Sequence, residues 1–249
     1  MKQLSVLLLL MIISSCNAQQ PEIFGEKPLN LKNKIFDLNI PVFFSEKYKL
    51  KNNPEYYEIP INNNLGIDLH TQLIKKDTLF INDDGTLDNS NFTKNKTSKW
   101  IVYTKKNYSS IDTVAVYEKF PFQAINVLTT LDNKLILVSG LIDEISLENS
   151  NKFIHLLISD YGKPIITKSK VFSKNIIIYT WENDDKLLKY CTFLNNESNT
   201  IVIEVDKDNS IIKKGDKTPH LEGYFYIAKK EFTNHLIGNI NVGDFAFFD

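Results

Sequence analysis

The sequence predicts an α+β fold, in which a mainly antiparallel β-sheet carries one clear amphipathic helix at about residues 146–161. Three observations support this fold class. The chain is rich in residues that favour strands, including 16 Phe and 11 Tyr. Short apolar segments alternate with clusters of Asn, Asp and Lys, as in consecutive hairpins. After the N-terminal leader, one convincing stretch combines helical spacing with start and stop signals.

The predicted strands fall on these short apolar segments. In the first half they lie around Phe43 and at residues 57–61, 67–73, 78–81, 100–103 and 113–117. Further along they lie at residues 124–130, 135–140, 165–167, 175–181, 186–193, 200–205 and 224–229, with a closing strand at 245–248. Residues 131–134 and 182–185 have the composition of hairpin turns. A weak division near Lys119 is the one boundary suggested within a globular region at residues 29–249.

The predicted helix is read from the stretch SLENSNKFIHLLISDYGKP, which begins at Ser146. Its apolar residues recur at helical spacing, namely Leu147, Ile154, Leu157, Ile158 and Tyr161. Ser146 has the side chain of an N-cap, Gly162 suits the conformation that follows a helix, and Pro164 prevents continuation. We therefore expect a helix that covers one face of the sheet.

Residues 1–15 have the plan of a secretory signal peptide. Lys2 supplies a positive charge, the ten residues from Leu4 to Ile13 include a single polar one, and small residues follow at Ser14 and Ser15. A transmembrane helix needs about 18 or more apolar residues. The leader is therefore expected to target the chain for export, not to span a membrane permanently.

The four residues Ile13-Ser14-Ser15-Cys16 resemble the lipobox of bacterial lipoproteins. In that family the cysteine thiol is joined to diacylglycerol, the leader is cut just before the cysteine, and the new amino group is acylated. The resemblance implies that Cys16 is the lipidated first residue of the mature protein, held to membrane lipid by its acyl chains. Cys16-Asn17-Ala18 also fits a small-x-small site for ordinary signal cleavage before Gln19.

The lipobox resemblance also implies a location. Residue 17 is Asn and not Asp, so the signal for retention at the inner membrane is missing. By analogy with the family, the resemblance implies a lipid-anchored protein of the cell envelope, with the outer membrane favoured. The SCNAQ ending and the abundance of Asn, Lys and Ile resemble exported proteins of Bacteroidota. Residues 16–28, polar and interrupted by Pro21, Gly25 and Pro28, suit a short tether.

Charge and cysteine content exclude several classes of partner and scaffold. Removal of residues 1–15 changes 29 cations against 30 anions to 28 against 30, a net charge of about −2. This near-neutral balance argues against nucleic-acid binding, which requires clustered cations. Cys191 is the only other cysteine, so a lipidated Cys16 leaves no internal disulfide. Cys191 is expected to be a buried, unreactive residue on a strand.

The sequence contains no motif that assigns a catalytic, metal or cofactor site. The four histidines lack the spacing of a helical zinc site, and no nucleophile elbow or phosphate-binding glycine motif is present. Acidic loops at residues 83–89 and 206–210 lack the closing glutamate of an EF-hand and are interpreted as turns. We expect no cofactor and no metal.

Tyr224 and Tyr226 are the candidate contact residues. On a strand they share one face, while Phe225 and Ile227 share the other. Apolar residues on both faces favour a central strand whose tyrosines belong to the core. If the tyrosine face were exposed, it would instead be the best candidate for a protein contact surface.

The resulting functional hypothesis is a membrane-anchored envelope lipoprotein that acts as a non-catalytic binding or accessory subunit of an unidentified protein partner. Two alternatives stay open: an immunity-type protein that neutralises a toxin, and an envelope hydrolase whose site is assembled from scattered Asp, Glu and His. Converging carboxylates in a cleft would favour the hydrolase. A flat, exposed aromatic patch would favour the binding protein.

Overall fold

The computed structural model describes most of the chain after residue 26. The described residues are 27–32, 35–45, 49–52, 54–60, 71–81, 87–88, 97–106, 113–171, 174–195, 201–205, 211–216, 219–237, 240 and 245–248. The predicted leader and Cys16 lie outside these ranges. Within the described ranges, no helix is both long and apolar enough to cross a bilayer.

The described body is built mainly of strands. In chain order they are β1 (Leu29–Asn30), β2 (Tyr56–Pro60), β3 (Thr71–Ile81), β4 (Leu87–Asp88), β5 (Thr97–Lys106), β6 (Ala115–Tyr117), β7 (Phe120–Phe122), β8 (Ala124–Thr130), β9 (Leu135–Ile145), β10 (Ile165–Val171), β11 (Lys174–Glu182), β12 (Lys186–Asn195), β13 (Ile201–Val205), β14 (Ile211–Asp216) and β15 (His220–Lys229). The α-helices are α1 (Ile40–Phe43), α2 (Leu147–Tyr161) and α3 (Thr233–Leu236), with short 3₁₀ helices at Ile35–Asp37 and Lys230–Phe232.

One large sheet dominates the fold. Its strand order is β10-β11-β12-β15-β9-β8-β5-β3-β2, with β4 also paired to β3, and every pairing in it is antiparallel. The prediction of a mainly antiparallel sheet with few helices is confirmed. Strands before and after Lys119 pair directly within this sheet, because β5 lies beside β8, so the strand pairing gives no support to a division there.

The large sheet has an apolar cluster on each face. One cluster lies beneath α2 and a small sheet formed by β1, β6 and β7, and it includes Phe122, Phe153 and Phe225. The other lies beneath the C-terminal residues and includes Tyr226 and Phe248. Because alternate residues of a strand point to opposite faces, β15 contributes to both clusters, as expected of a central strand.

Helix α2 begins and ends at the predicted residues. The Ser146 hydroxyl accepts a hydrogen bond from the Asn149 N–H at 3.1 Å, and Gly162 follows the helix with a φ of 82°. The Trp181 indole N–H donates to the Gly162 carbonyl at 2.8 Å, which fixes the end of the helix to β11. The buried face is centred on Phe153, whereas the predicted apolar face did not include this residue.

Residues 40–43 form helix α1, and the prediction of a strand around Phe43 was wrong. The Asn39 side chain accepts a hydrogen bond from the Val42 N–H at 3.4 Å, and Pro41 occupies the first turn, where its missing N–H costs no hydrogen bond. Ile40 and Phe43 are buried. A short apolar segment is therefore packed here by a capped turn, not by a ladder of strand hydrogen bonds.

The C-terminal Phe245–Phe248 segment is a turn, and the prediction of a closing strand was wrong. The Phe248 N–H donates to the Phe245 carbonyl at 2.9 Å. The buried Lys189 amine donates to the Phe248 carbonyl, and Phe247 packs on the large sheet. Tertiary contacts therefore fix a compact conformation in a segment with high strand propensity.

Gly140, in the centre of β9, permits the close approach of Phe122. A Cβ atom at this position would lie 2.6 Å from Phe122 Cδ1. Both residues are enclosed, so we expect Gly140→Ala to reduce the free energy of unfolding by about 1–3 kcal/mol through overpacking. Denaturant-induced unfolding followed by circular dichroism measures this difference.

A double-mutant cycle separates overpacking from other effects of Gly140→Ala. If the clash with the Phe122 ring is the cause, Gly140→Ala should cost clearly less in a Phe122→Ala background than in the wild type. Equal costs in the two backgrounds would contradict the account.

Candidate functional site

Tyr224 and Tyr226, the candidate contact residues, are both buried. The Tyr224 ring lies 4.4 Å from that of Phe247 and the Tyr226 ring lies 5.6 Å from that of Phe248, measured between ring centroids. The C-terminal residues therefore cover the tyrosine face. Both tyrosines therefore belong to the core. Their burial contradicts the alternative in which they form an exposed contact surface.

A group of polar side chains, the Glu222 group, lies near the start of β15. Tyr224 Oη donates to Glu222 Oε2 at 2.7 Å, and Asn195 Nδ2 donates to Glu222 Oε1 at 2.7 Å. His220 Nε2 lies 3.9 Å from Glu222 Oε1. His220, Glu222 and Tyr224 share a face because they alternate along one strand, and the pairing of β12 with β15 brings Asn195 beside them.

A cleft of about 300 Å³ opens beside this group, at the end of the large sheet where β9 leads into α2. It is lined by Glu144, Ile145, Ser146, Leu147, Leu194, Pro219, His220 and Leu221. Leu147 and Leu194 are well exposed, so its wall offers apolar surface together with a few polar groups. Its volume is at the lower end of the range typical of small-molecule sites.

Polar groups at and beside this cleft hydrogen-bond to other groups of the chain. Glu222 receives two hydrogen bonds from protein donors, and the Ser146 hydroxyl accepts the capping hydrogen bond of α2. Ser146 is the single serine among the lining residues, which include no threonine or cysteine, and nucleophilic catalysis needs such a group activated by a neighbouring base. The arrangement is suited to holding a small ligand more than to nucleophilic catalysis.

Comparison with known proteins finds no family for this chain. No protein-family model, curated protein or solved structure matches the chain.

A second group of polar side chains joins the N-terminal part of the body to the end of α2. Lys32 Nζ donates to the Asp160 carboxylate at 3.1 Å, and Tyr117 Oη donates to Asp160 Oδ2 at 2.8 Å and lies 3.1 Å from Tyr161 Oη. Burial, together with these hydrogen bonds, raises the pKa of Tyr117 far above its ordinary value. Tyr117 is thus kept as a neutral structural donor, and the group fastens β1, β6 and α2 to one another.

Cys191 is buried on β12, as the sequence predicts. Burial raises the pKa of its thiol to about 12. Since the thiolate is the reactive form, roughly one thiol in ten thousand would be ionised at pH 8. We expect no appreciable reaction of the folded chain with Ellman's reagent over minutes, and rapid reaction of Cys191 after denaturation in guanidinium.

The same titration reports on Cys16. If Cys16 carries a thioether-linked lipid, the denatured chain releases one equivalent of thiol and not two. Rapid reaction of a Cys16→Ala variant before denaturation would contradict the burial of Cys191, because Cys191 is then the only thiol of the chain. In the wild type, two equivalents after denaturation would contradict lipidation of Cys16.

Several other sites considered from the sequence lie outside the described residues, among them Cys16 and the acidic stretches at 82–86 and 206–210. Among the residues that are described, no group of three His, Cys, Asp or Glu side chains is arranged to hold a metal ion. The expectation of no cofactor and no metal stays a prediction.

The Glu222 group was missed from the sequence, although part of its signal was local. The alternation of His220, Glu222 and Tyr224 at the start of a strand places three polar side chains on one face. The contribution of Asn195 had no local signal, because it depends on the register between β12 and β15.

Proposed function

We propose that the protein is a lipid-anchored envelope lipoprotein whose β-rich body acts by binding a protein partner. The observation that carries this proposal is the position of Cys16 directly after the apolar leader, in the lipobox-like context Ile13-Ser14-Ser15-Cys16. Acyl chains on Cys16 would hold the body at a membrane, since each buried methylene contributes roughly 0.8 kcal/mol. The Asn at position 17 favours the outer membrane.

The described body supports a short tether. Leu29 and Leu31 are both buried in the core, and Lys32 bonds to Asp160, so packed residues of the body lie close in sequence to the proposed anchor. Twelve residues separate Cys16 from Leu29, and fully extended they would span roughly 40 Å. The body would thus remain near the membrane surface, where it meets a restricted set of partners.

Binding is favoured over catalysis by how the polar groups of the body are used. Glu222, Asp160 and Ser146 each interact with donors of the chain itself, in ways that stabilise strands and helix ends. As part of this proposal, α2 serves as the single clear amphipathic helix of the body, and its buried Phe153 and Leu157 hold it on the sheet. Its role is then to stiffen a binding scaffold.

In-cell cross-linking tests the binding function. The natively produced, tagged chain is cross-linked in growing cells, and copurifying proteins are identified by mass spectrometry, with Cys16→Ala as the matched control. We expect a reproducible partner that is captured by the wild type and lost with the variant. Absence of any such partner across several growth conditions would contradict the proposal.

A hydrolase acting on glycan or peptide is the second candidate, favoured by the His220–Glu222 pair beside the 300 Å³ cleft. The purified chain is assayed for turnover of cell-wall glycan and of peptide, with Glu222→Gln as the matched variant. Turnover that falls in the variant while its thermal unfolding is unchanged would favour the hydrolase. Equal background rates for both proteins would remove it.

A further inference from the structure

Strand β10 forms an open edge of the large sheet. It is paired with β11 on one side only, and no other strand of the described chain lies on its outer side. Its seven residues pair with β11 in continuous register, without a bulge. The outward N–H and C=O groups of such an edge are ready to pair with another strand.

Apolar side chains are unusually exposed on and beside this edge. Ile165 is 61% exposed, Ile166 is 58% exposed and Ile177, on β11, is 45% exposed. Ile177 lies opposite Lys168 in the β10–β11 register, so it shares a face with Ile166. An added strand would lie beside Ile165 and Ile166 and would pair with the outward backbone groups of β10.

The edge is also cationic. Lys168 and Lys170 are exposed on β10, on the same face as Ile166, and Lys163 precedes the strand. None of the three makes a salt bridge with a carboxylate of the described chain. Edge lysines disfavour pairing with a second basic edge, so a second copy of this chain is a poor occupant, whereas carboxylates on an incoming strand would be attracted.

We propose that β10 is the docking site for an extended acidic segment of a partner protein, which adds to the sheet as a further strand. Carboxylates at alternate positions would face Lys168 and Lys170, and apolar residues between them would cover Ile165 on the opposite face. This inference rests on the proposed binding function, because it places the partner on a particular surface of the same body.

A peptide-binding experiment tests the docking site. The purified full chain is titrated with a fluorescent peptide that alternates Glu with Val, and binding is followed by anisotropy. We expect saturable binding that weakens as salt rises, and roughly tenfold weaker binding to Lys168→Glu/Lys170→Glu. The control Lys51→Glu/Lys119→Glu carries the same change of charge at exposed positions, with Lys51 near the opposite edge of the sheet, and should bind as the wild type does.

Backbone pairing is tested separately from charge. In one version of the peptide, every odd-numbered backbone amide carries an N-methyl group. In a second version, every even-numbered backbone amide does. Strand addition predicts that one version loses binding far more than the other, because only one set of N–H groups faces the edge. Hydrogen exchange of the β10 amides should slow when the unmodified peptide is bound, and the exchange pattern of each free variant verifies that it is folded.

Several outcomes would overturn the docking site: no binding of the acidic peptide, equal binding by both double variants, or equal binding of all peptide versions. The proposed function fails by a different result, the absence of a tether-dependent partner in cells. A partner that is still captured by Lys168→Glu/Lys170→Glu would remove β10 as the docking site and leave the binding function in place.

Discussion

Replacing Phe153 with alanine is expected to lower the free energy of unfolding by about 3–5 kcal/mol, the cost of truncating an enclosed aromatic residue. Phe153 is fully buried on α2, and its ring lies within 4.9–6.0 Å, between centroids, of five aromatic rings. Those rings are Tyr117, Phe120, Phe122, Tyr190 and Phe225. Truncation of Phe153 would leave a cavity bordered by α2, the small sheet and the large sheet. No one of these elements could fill the cavity without moving away from the other two. Denaturant-induced unfolding measures the loss.

Ile158→Ala provides the control on the same helix. Ile158 is 36% exposed, so its truncation removes less buried surface, and we expect a loss below about 1 kcal/mol. Similar losses for the two variants would show that helix α2 contributes through its own helical stability and not through the Phe153 cluster.

Replacing Cys16 with alanine is expected to move the protein from the membrane fraction to the soluble fraction. The variant has no thiol to receive diacylglycerol, and several acyl chains together supply far more than the marginal binding that a single chain provides. Fractionation of cells, followed by detection of a C-terminal tag, measures the distribution.

Cys191→Ala is the matched control, because it removes the other cysteine of the chain. Cys191 is buried and distant in sequence from the leader, so this variant should stay in the membrane fraction. Retention of the Cys16 variant at the membrane would contradict the proposed anchor.

The elements that were predicted well are those whose signals are local. The capping of α2 by Ser146 and its end at Gly162 depend on residues within a few positions of the helix. The alternation of tyrosine with Phe225 and Ile227 correctly indicated a strand buried on both faces, because burial of a central strand leaves apolar residues at consecutive positions.

The errors arose where tertiary contacts override local preference. Phe245–Phe248 has strong strand propensity, but no strand of the described chain is paired with it, and packing against Tyr224 and Tyr226 holds it as a turn. On α2, the predicted face included Leu147, which is largely exposed, and omitted Phe153, which is fully buried. Helical spacing alone allowed either face, and the aromatic residues beneath the helix decide between them.

The candidate surfaces depended on sheet order, which no short segment encodes. The cleft combines residues from β9, β12 and β15, and the exposure of Ile165 and Ile166 follows from the terminal position of β10. Strand propensity could place β10 in a sheet but could not say whether it is central or at an edge. The proposed anchor at Cys16 is different, since its whole signal lies within residues 1–17.

Mass spectrometry of the mature N-terminus tests the lipid anchor most directly. The natively produced chain is extracted from membranes with detergent and digested, and its N-terminal peptide is analysed. The account predicts a peptide that begins at Cys16 and carries a diacylglyceryl thioether and an acylated amino group. An unmodified N-terminus at Gln19, or an intact leader, would contradict it.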